Sequence, residues 1–134
     1  MNPLLLIKLI VENVKLKQKI ESIKDSKYKH EAYFFVLGGI NFTREKIGEA
    51  RHITGEELCL GLKELITSEF GPTSEIVLNH WGIKSTNDFG EIVYKLIEAG
   101  VLGKTEDDKI EDFDNVFKFS ALKKIKIKEL ASNE

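Results

Sequence analysis

The chain has a single cysteine, Cys59, among 134 residues. An intramolecular disulfide is therefore excluded, a thiolate zinc cluster with it, and a reducing, cytoplasmic setting is the expectation. Excess charge is just as scarce. Twenty basic against 22 acidic side chains leave a formal net charge of −2, which gives no global attraction to nucleic acid or to an anionic membrane. Long apolar runs are also missing, and a membrane span needs roughly 20 such residues. The opening MNPLLLIKLIV is interrupted by Lys8, follows no basic region and precedes no small-residue cleavage site, so it reads as the start of a helix and not as a targeting segment. There is no internal repeat and no low-complexity stretch. No catalytic triad, metal cage or phosphate loop is recognisable, so no cofactor is expected.

What is present describes a mainly α chain: a compact helical domain of about five helices with a small C-terminal β-hairpin, one domain over residues 1–134. A long first helix is expected over residues 1–24, with Leu9, Leu16, Ile20 and Ile23 on one stripe and Leu6, Ile10 and Val14 beside it. So wide an apolar stripe calls for cover on more than one side, from the core or from a second subunit. A helical core is expected over 25–100. Its second helix, His30 to Gly48, is apolar all round its first turns, and Gly38-Gly39 within it imply a close backbone crossing. Thr54 and Glu57 form a capping box for the next helix, which buries Leu58, Leu62, Leu65, Ile66 and Phe70 and stops at Gly71-Pro72. A short helix over Thr73–Trp81 should turn Ile76, Val77 and Trp81 inward. Ser85 or Thr86 then caps a helix burying Phe89, Ile92, Val93, Leu96 and Ile97, with Gly90 marking a second close approach. VLGKT and NVFKFS read as hairpin strands over 101–120, and a basic tail follows over 121–134.

Three helices and a hairpin also outline a winged helix, with Thr73–Trp81 and Asn87–Ala99 as helix-turn-helix and 104–115 as wing. Charge opposes a nucleic-acid role. That wing carries Glu106, Asp107, Asp108, Glu111, Asp112 and Asp114 against Lys104 and Lys109, and phosphates repel such a surface. The basic side chains gather at the ends: seven lysines against three acids in residues 1–30, and seven against eight in 104–134.

Few residues suggest chemistry. His30, His52, His80 and Cys59 lack the i, i+3 or i, i+4 spacing that puts metal ligands on one helical face, so no metal is expected. Cys59 reads as a buried small hydrophobe. Arg51 and His52 precede a helix start, where free N–H groups favour an anion, but the simpler reading pairs Arg51 with Glu56 or Glu57 and packs His52 over the helix start. The candidate ligand or partner residues are Arg51, His52, Glu57, His80, Trp81 and Asp88, with no catalytic residue among them.

Tyr28, Ala32-Tyr33, Phe35-Val36-Leu37, RHITGEEL (51–58), Phe70-Gly71-Pro72, HWGI (80–83) and STNDFGEIV (85–93) together resemble a small family of bacterial conserved hypothetical proteins, a domain of unknown function. The resemblance spans residues 20–119. It implies a small cytosolic bacterial domain and brings no activity. The first fifteen or so residues and the KKIKIKEL tail depart from the pattern, and Gly38-Gly39 stand where larger side chains belong.

The expected function is a non-catalytic interaction module that self-associates, or binds a protein partner, through its first helix. The alternatives are a winged-helix-like nucleic-acid binder, or a small-ligand protein or enzyme built on Arg51-His52. The abundance of Lys and Glu and the single glutamine, Gln18, point towards thermostability.

Overall fold

The computed structural model describes residues 3–24 and 27–122, apart from the side chains of residues 5, 6 and 8–10. Five helices follow in order: α1 (Pro3–Glu21), α2 (His30–Ile47), α3 (Gly55–Phe70), α4 (Ser74–His80) and α5 (Thr86–Glu98). Short 3₁₀ turns occupy Gly71–Thr73, Ile110–Phe113 and Phe119–Ala121. The mainly helical class read from the sequence is therefore what these residues form, and none of these helices is long and apolar enough to cross a membrane.

The helix ends follow local chemistry. At the start of α3 the Thr54 hydroxyl accepts from the Glu57 N–H at 3.1 Å, and Glu57 Oε1 accepts from the Thr54 N–H at 2.9 Å. Two otherwise orphaned donors are satisfied reciprocally. The α2 helix stops where Gly48 adopts a left-handed φ of 69° and returns its N–H to the Arg44 carbonyl.

Three helices supply most of the core: Ala32, Tyr33, Val36 and Ile40 from α2, Leu58, Leu62 and Ile66 from α3, and Phe89, Ile92 and Leu96 from α5. The α2 and α3 helices cross through reciprocal notches. A Cβ on Gly39 would stand 2.1 Å from Leu62 Cδ2, and one on Gly61 would stand 1.9 Å from Thr43 Oγ1. Each helix omits one side chain to receive one from its neighbour, which offsets the helix-propensity penalty of about 1 kcal/mol per glycine. The expected close approach thus falls on Gly39 alone, since nothing lies within 4 Å of the corresponding position on Gly38. Gly90 does mark a contact, since a Cβ there would stand 3.0 Å from the Phe113 side chain.

Several boundaries and one element differ from the sequence reading. The first helix ends at Glu21, not Lys24. In the short helix Leu78 is the buried apolar residue, whereas Ile76 is 66% exposed. The hairpin expected over 101–120 does not form: no strand occurs among the described residues, and with it goes the wing of the winged-helix outline. The reason lies in how the apolar side chains dock. Phe113, Phe119 and Leu122 are buried one by one against the helical core. The backbone polar groups there find partners on α5 instead of on a second strand: Thr86 Oγ1 donates to the Phe113 carbonyl at 2.7 Å and accepts from the Val116 N–H at 3.2 Å. A ladder would have to give up both. Apart from Ala121 and Leu122, the basic tail lies outside the described residues.

Candidate functional site

The six candidate residues do not converge. Arg51, His52 and Glu57 stand at the start of α3, His80 and Trp81 at the end of α4, and Asp88 in the first turn of α5. All but the exposed His80 make contacts that account for them.

Arg51 forms a two-pronged contact with Glu57, Nη1 to Oε1 at 2.9 Å and Nη2 to Oε2 at 2.7 Å, and its Nε donates to Glu49 at 2.9 Å. Since Glu57 also closes the capping box, the guanidinium braces the cap itself. The Arg51 fork and the Thr54 backbone N–H hold the Glu57 carboxyl down at about 2. His52 Nε2 meets the Asp108 carboxylate at 3.0 and 3.2 Å, joining the start of α3 to the acidic loop 56 residues later. Burial alone would raise the Asp108 carboxyl, but the Thr105 N–H and His52 outweigh it and hold it below its ordinary value.

Asp88 is 7% exposed and belongs to a polar knot that sequence reasoning missed. Its Oδ2 accepts from the Lys84 N–H at 2.7 Å and the Ser85 N–H at 3.3 Å, while Oδ1 takes the buried Tyr28 hydroxyl. Tyr28 also reaches Glu91 at 2.5 Å, and Lys27 bridges Glu91 at 2.8 Å and Asp88 at 3.6 Å. Burial, followed by the bond to Asp88, pushes the Tyr28 hydroxyl far up, so it remains a donor at every physiological pH. The knot ties the entry of α2 to the start of α5. Lys27 and Tyr28 stand 60 residues or more from Asp88 and Glu91, so no local spacing signals these contacts. His80 is exposed, and Trp81 is half-buried in an aromatic cluster with Phe35 at 5.3 Å and Phe70 at 5.9 Å. Cys59 is fully buried, with its thiol pushed up to about 12 by burial, which leaves it a poor nucleophile. Among the described residues no three metal-ligating side chains cluster.

Two features stand out among the described residues. One is a small cavity between α3, α5 and the acidic loop, with His52 and Asp108 in its lining. The other is a face of α1. That helix is anchored at its C-terminal end, where Ile20 is fully buried, Leu16 packs against the core and Lys19 Nζ reaches the Gly100 carbonyl at 3.4 Å. Towards its N-terminus Leu4, Ile7, Val11 and Val14 are exposed by 75, 56, 44 and 49%. At about 100° per residue these four fall within an arc of about 80°, and Leu16 and Ile20 lie on the opposite side of the helix. The exposed stripe is thus no continuation of the buried one. Its 3-4-3 spacing is visible in the sequence, but of its four members only Val14 belonged to the expected apolar pattern, whose Leu6, Leu9 and Ile10 side chains lie outside the described residues.

In comparisons with known proteins, no family model, no curated protein and no solved structure matches this chain.

Proposed function

We propose that this domain is a non-catalytic interaction module that self-associates through α1, the exposed stripe of one copy packing on the same stripe of another. The observation carrying this reading is the pair of opposed apolar faces. A helix that served the core alone would keep one stripe, whereas α1 has a second at 3-4-3 spacing whose narrow width suits a two-helix seam. Such a seam is self-complementary under a two-fold axis, so a second copy is its simplest occupant.

Magnitudes make the association weak. Burying one Val, Leu or Ile fully contributes about 1.5–3 kcal/mol, so four roughly half-exposed side chains contribute about 1 kcal/mol each, or about 8 kcal/mol for the pair of helices. At the low end of its cost, about 4 kcal/mol, association leaves a dissociation constant of about 1 mM. Sedimentation equilibrium from about 10 μM to about 1 mM should show a reversible dimer. Ile7→Glu with Val11→Glu should abolish it and leave the thermal transition of the dilute protein unchanged. A protein that stays monomeric up to about 1 mM overturns the reading, as does a doubly substituted protein that dimerises like the parent. Binding of the monomer to anionic vesicles by the same residues would replace self-association with a membrane surface.

A further inference from the structure

The cavity between α3, α5 and the acidic loop has a volume of about 70 Å³, several times the ~10–15 Å³ that a single water needs. Its wall is apolar, supplied by Ile53, Leu58, Val93, Ile97, Leu102 and Phe113. Into this wall is set one polar group without a partner. The Tyr94 hydroxyl is shielded from solvent and has no hydrogen bond among the described residues. A buried hydroxyl left unpaired is costly, and native structures seldom keep one without a water or ligand to satisfy it. Burial first, then Asp108, Asp112 and Glu111, raises the Tyr94 hydroxyl above its ordinary value, so it is a protonated group able both to donate and to accept.

The rim is balanced in charge. Arg44 and Lys109 stand against Asp108 and Asp112, and His52 is already engaged with Asp108. A charged ligand would meet a like charge on that rim and lose its hydration against an apolar wall. A neutral one incurs neither penalty.

We infer that this cavity is a binding site for a small uncharged molecule, or the uncharged tip of a larger one, with a compact branched aliphatic body against Val93 and Ile97 and one hydroxyl or carbonyl group bonded to Tyr94. The site is independent of the α1 surface, and occupancy of one does not require the other.

Isobutanol fits the stated chemistry, and isobutyrate and isobutylamine are its charged counterparts of similar size. Titrated into protein carrying ¹³C-labelled Ile, Leu and Val methyl groups, isobutanol should shift the signals of Ile53, Leu58, Val93 and Ile97 saturably at millimolar concentration. Both charged analogues should bind at least about tenfold more weakly. Tyr94→Phe should weaken isobutanol about fivefold, the worth of one ordinary hydrogen bond. Ile97→Phe, which fills the space, should abolish the shifts. Absence of saturable shifts would mean that the cavity holds water only and would overturn the inference. Unchanged affinity in Tyr94→Phe would remove the role of the hydroxyl, and tighter binding of either charged analogue would refute the ligand class. If a variant fails to fold, the comparison of the three probes on the unmodified protein still decides.

Discussion

Gly61→Ala tests the reciprocal notch that sets the α2–α3 crossing. On a solvent-facing helix this change would stabilise by about 1 kcal/mol, because alanine is the better helix former. Here the new methyl would stand 1.9 Å from Thr43 Oγ1 and 3.0 Å from Thr43 Cβ. Thr43 has little room to yield: it is 4% exposed, and its hydroxyl donates to the Gly39 carbonyl at 2.7 Å. Overpacking costs about 1–3 kcal/mol, and a buried hydroxyl forced off its acceptor costs about 1–3 kcal/mol more. Against the propensity gain of about 1 kcal/mol, the net loss is about 1–5 kcal/mol. Thr43→Ala removes both Oγ1 and Cγ2, leaving only the Cβ contact, so the double variant should be more stable than the sum of the singles by at least about 1 kcal/mol. Urea denaturation followed by circular dichroism measures all four corners of the cycle, provided the denaturant slopes agree. A Gly61→Ala protein as stable as the parent would refute the reasoning. So would strict additivity, because the cost would then not arise at Thr43.

Two further predictions concern the polar contacts. Glu57 is held at about 2 against an ordinary 4.5, by Arg51 first and the Thr54 N–H second; a carboxylate depressed in the folded state stabilises it fully above the ordinary value and loses that stabilisation as pH falls towards the folded one. The melting temperature should therefore fall between about pH 4.5 and 2, and less steeply in Glu57→Gln; parallel curves would show that Glu57 is not the group responsible. In the buried knot, Tyr28→Phe leaves Asp88 and Glu91 without their shared donor and should cost about 1.5–3 kcal/mol, the range for hydrogen bonds to charged groups. A loss below about 0.5 kcal/mol in urea denaturation would mean that Lys27 and the backbone N–H groups satisfy both carboxylates unaided.

The sequence by itself determined the parts of this protein that depend on neighbours a few residues apart. The Thr54–Glu57 box, the glycine stop at Gly48 and the buried face of α5 are contacts within one turn or two, and the residues that make them sit side by side in the chain. Cys59 was legible as buried for the same reason, since helical period alone sets its side beside Leu58 and Leu62. The missing hairpin shows where such reasoning stops. Short β-branched and aromatic runs suit a strand, yet a strand needs a partner, and here Thr86 and the space above Gly90 offered the segment a better one. The same limit separated the six candidate residues: Arg51 and Glu57 were adjacent enough to pair predictably, whereas His52 with Asp108 and Tyr28 with Asp88 meet only because whole helices pack. Which of the two glycines at 38 and 39 lies in a crossing, which face of α1 stays exposed, and where the Tyr94 hydroxyl comes to rest were all decided by tertiary structure. Each depends on the relative placement of rigid elements, a quantity set by the packing of the entire core and written into no single stretch of the chain.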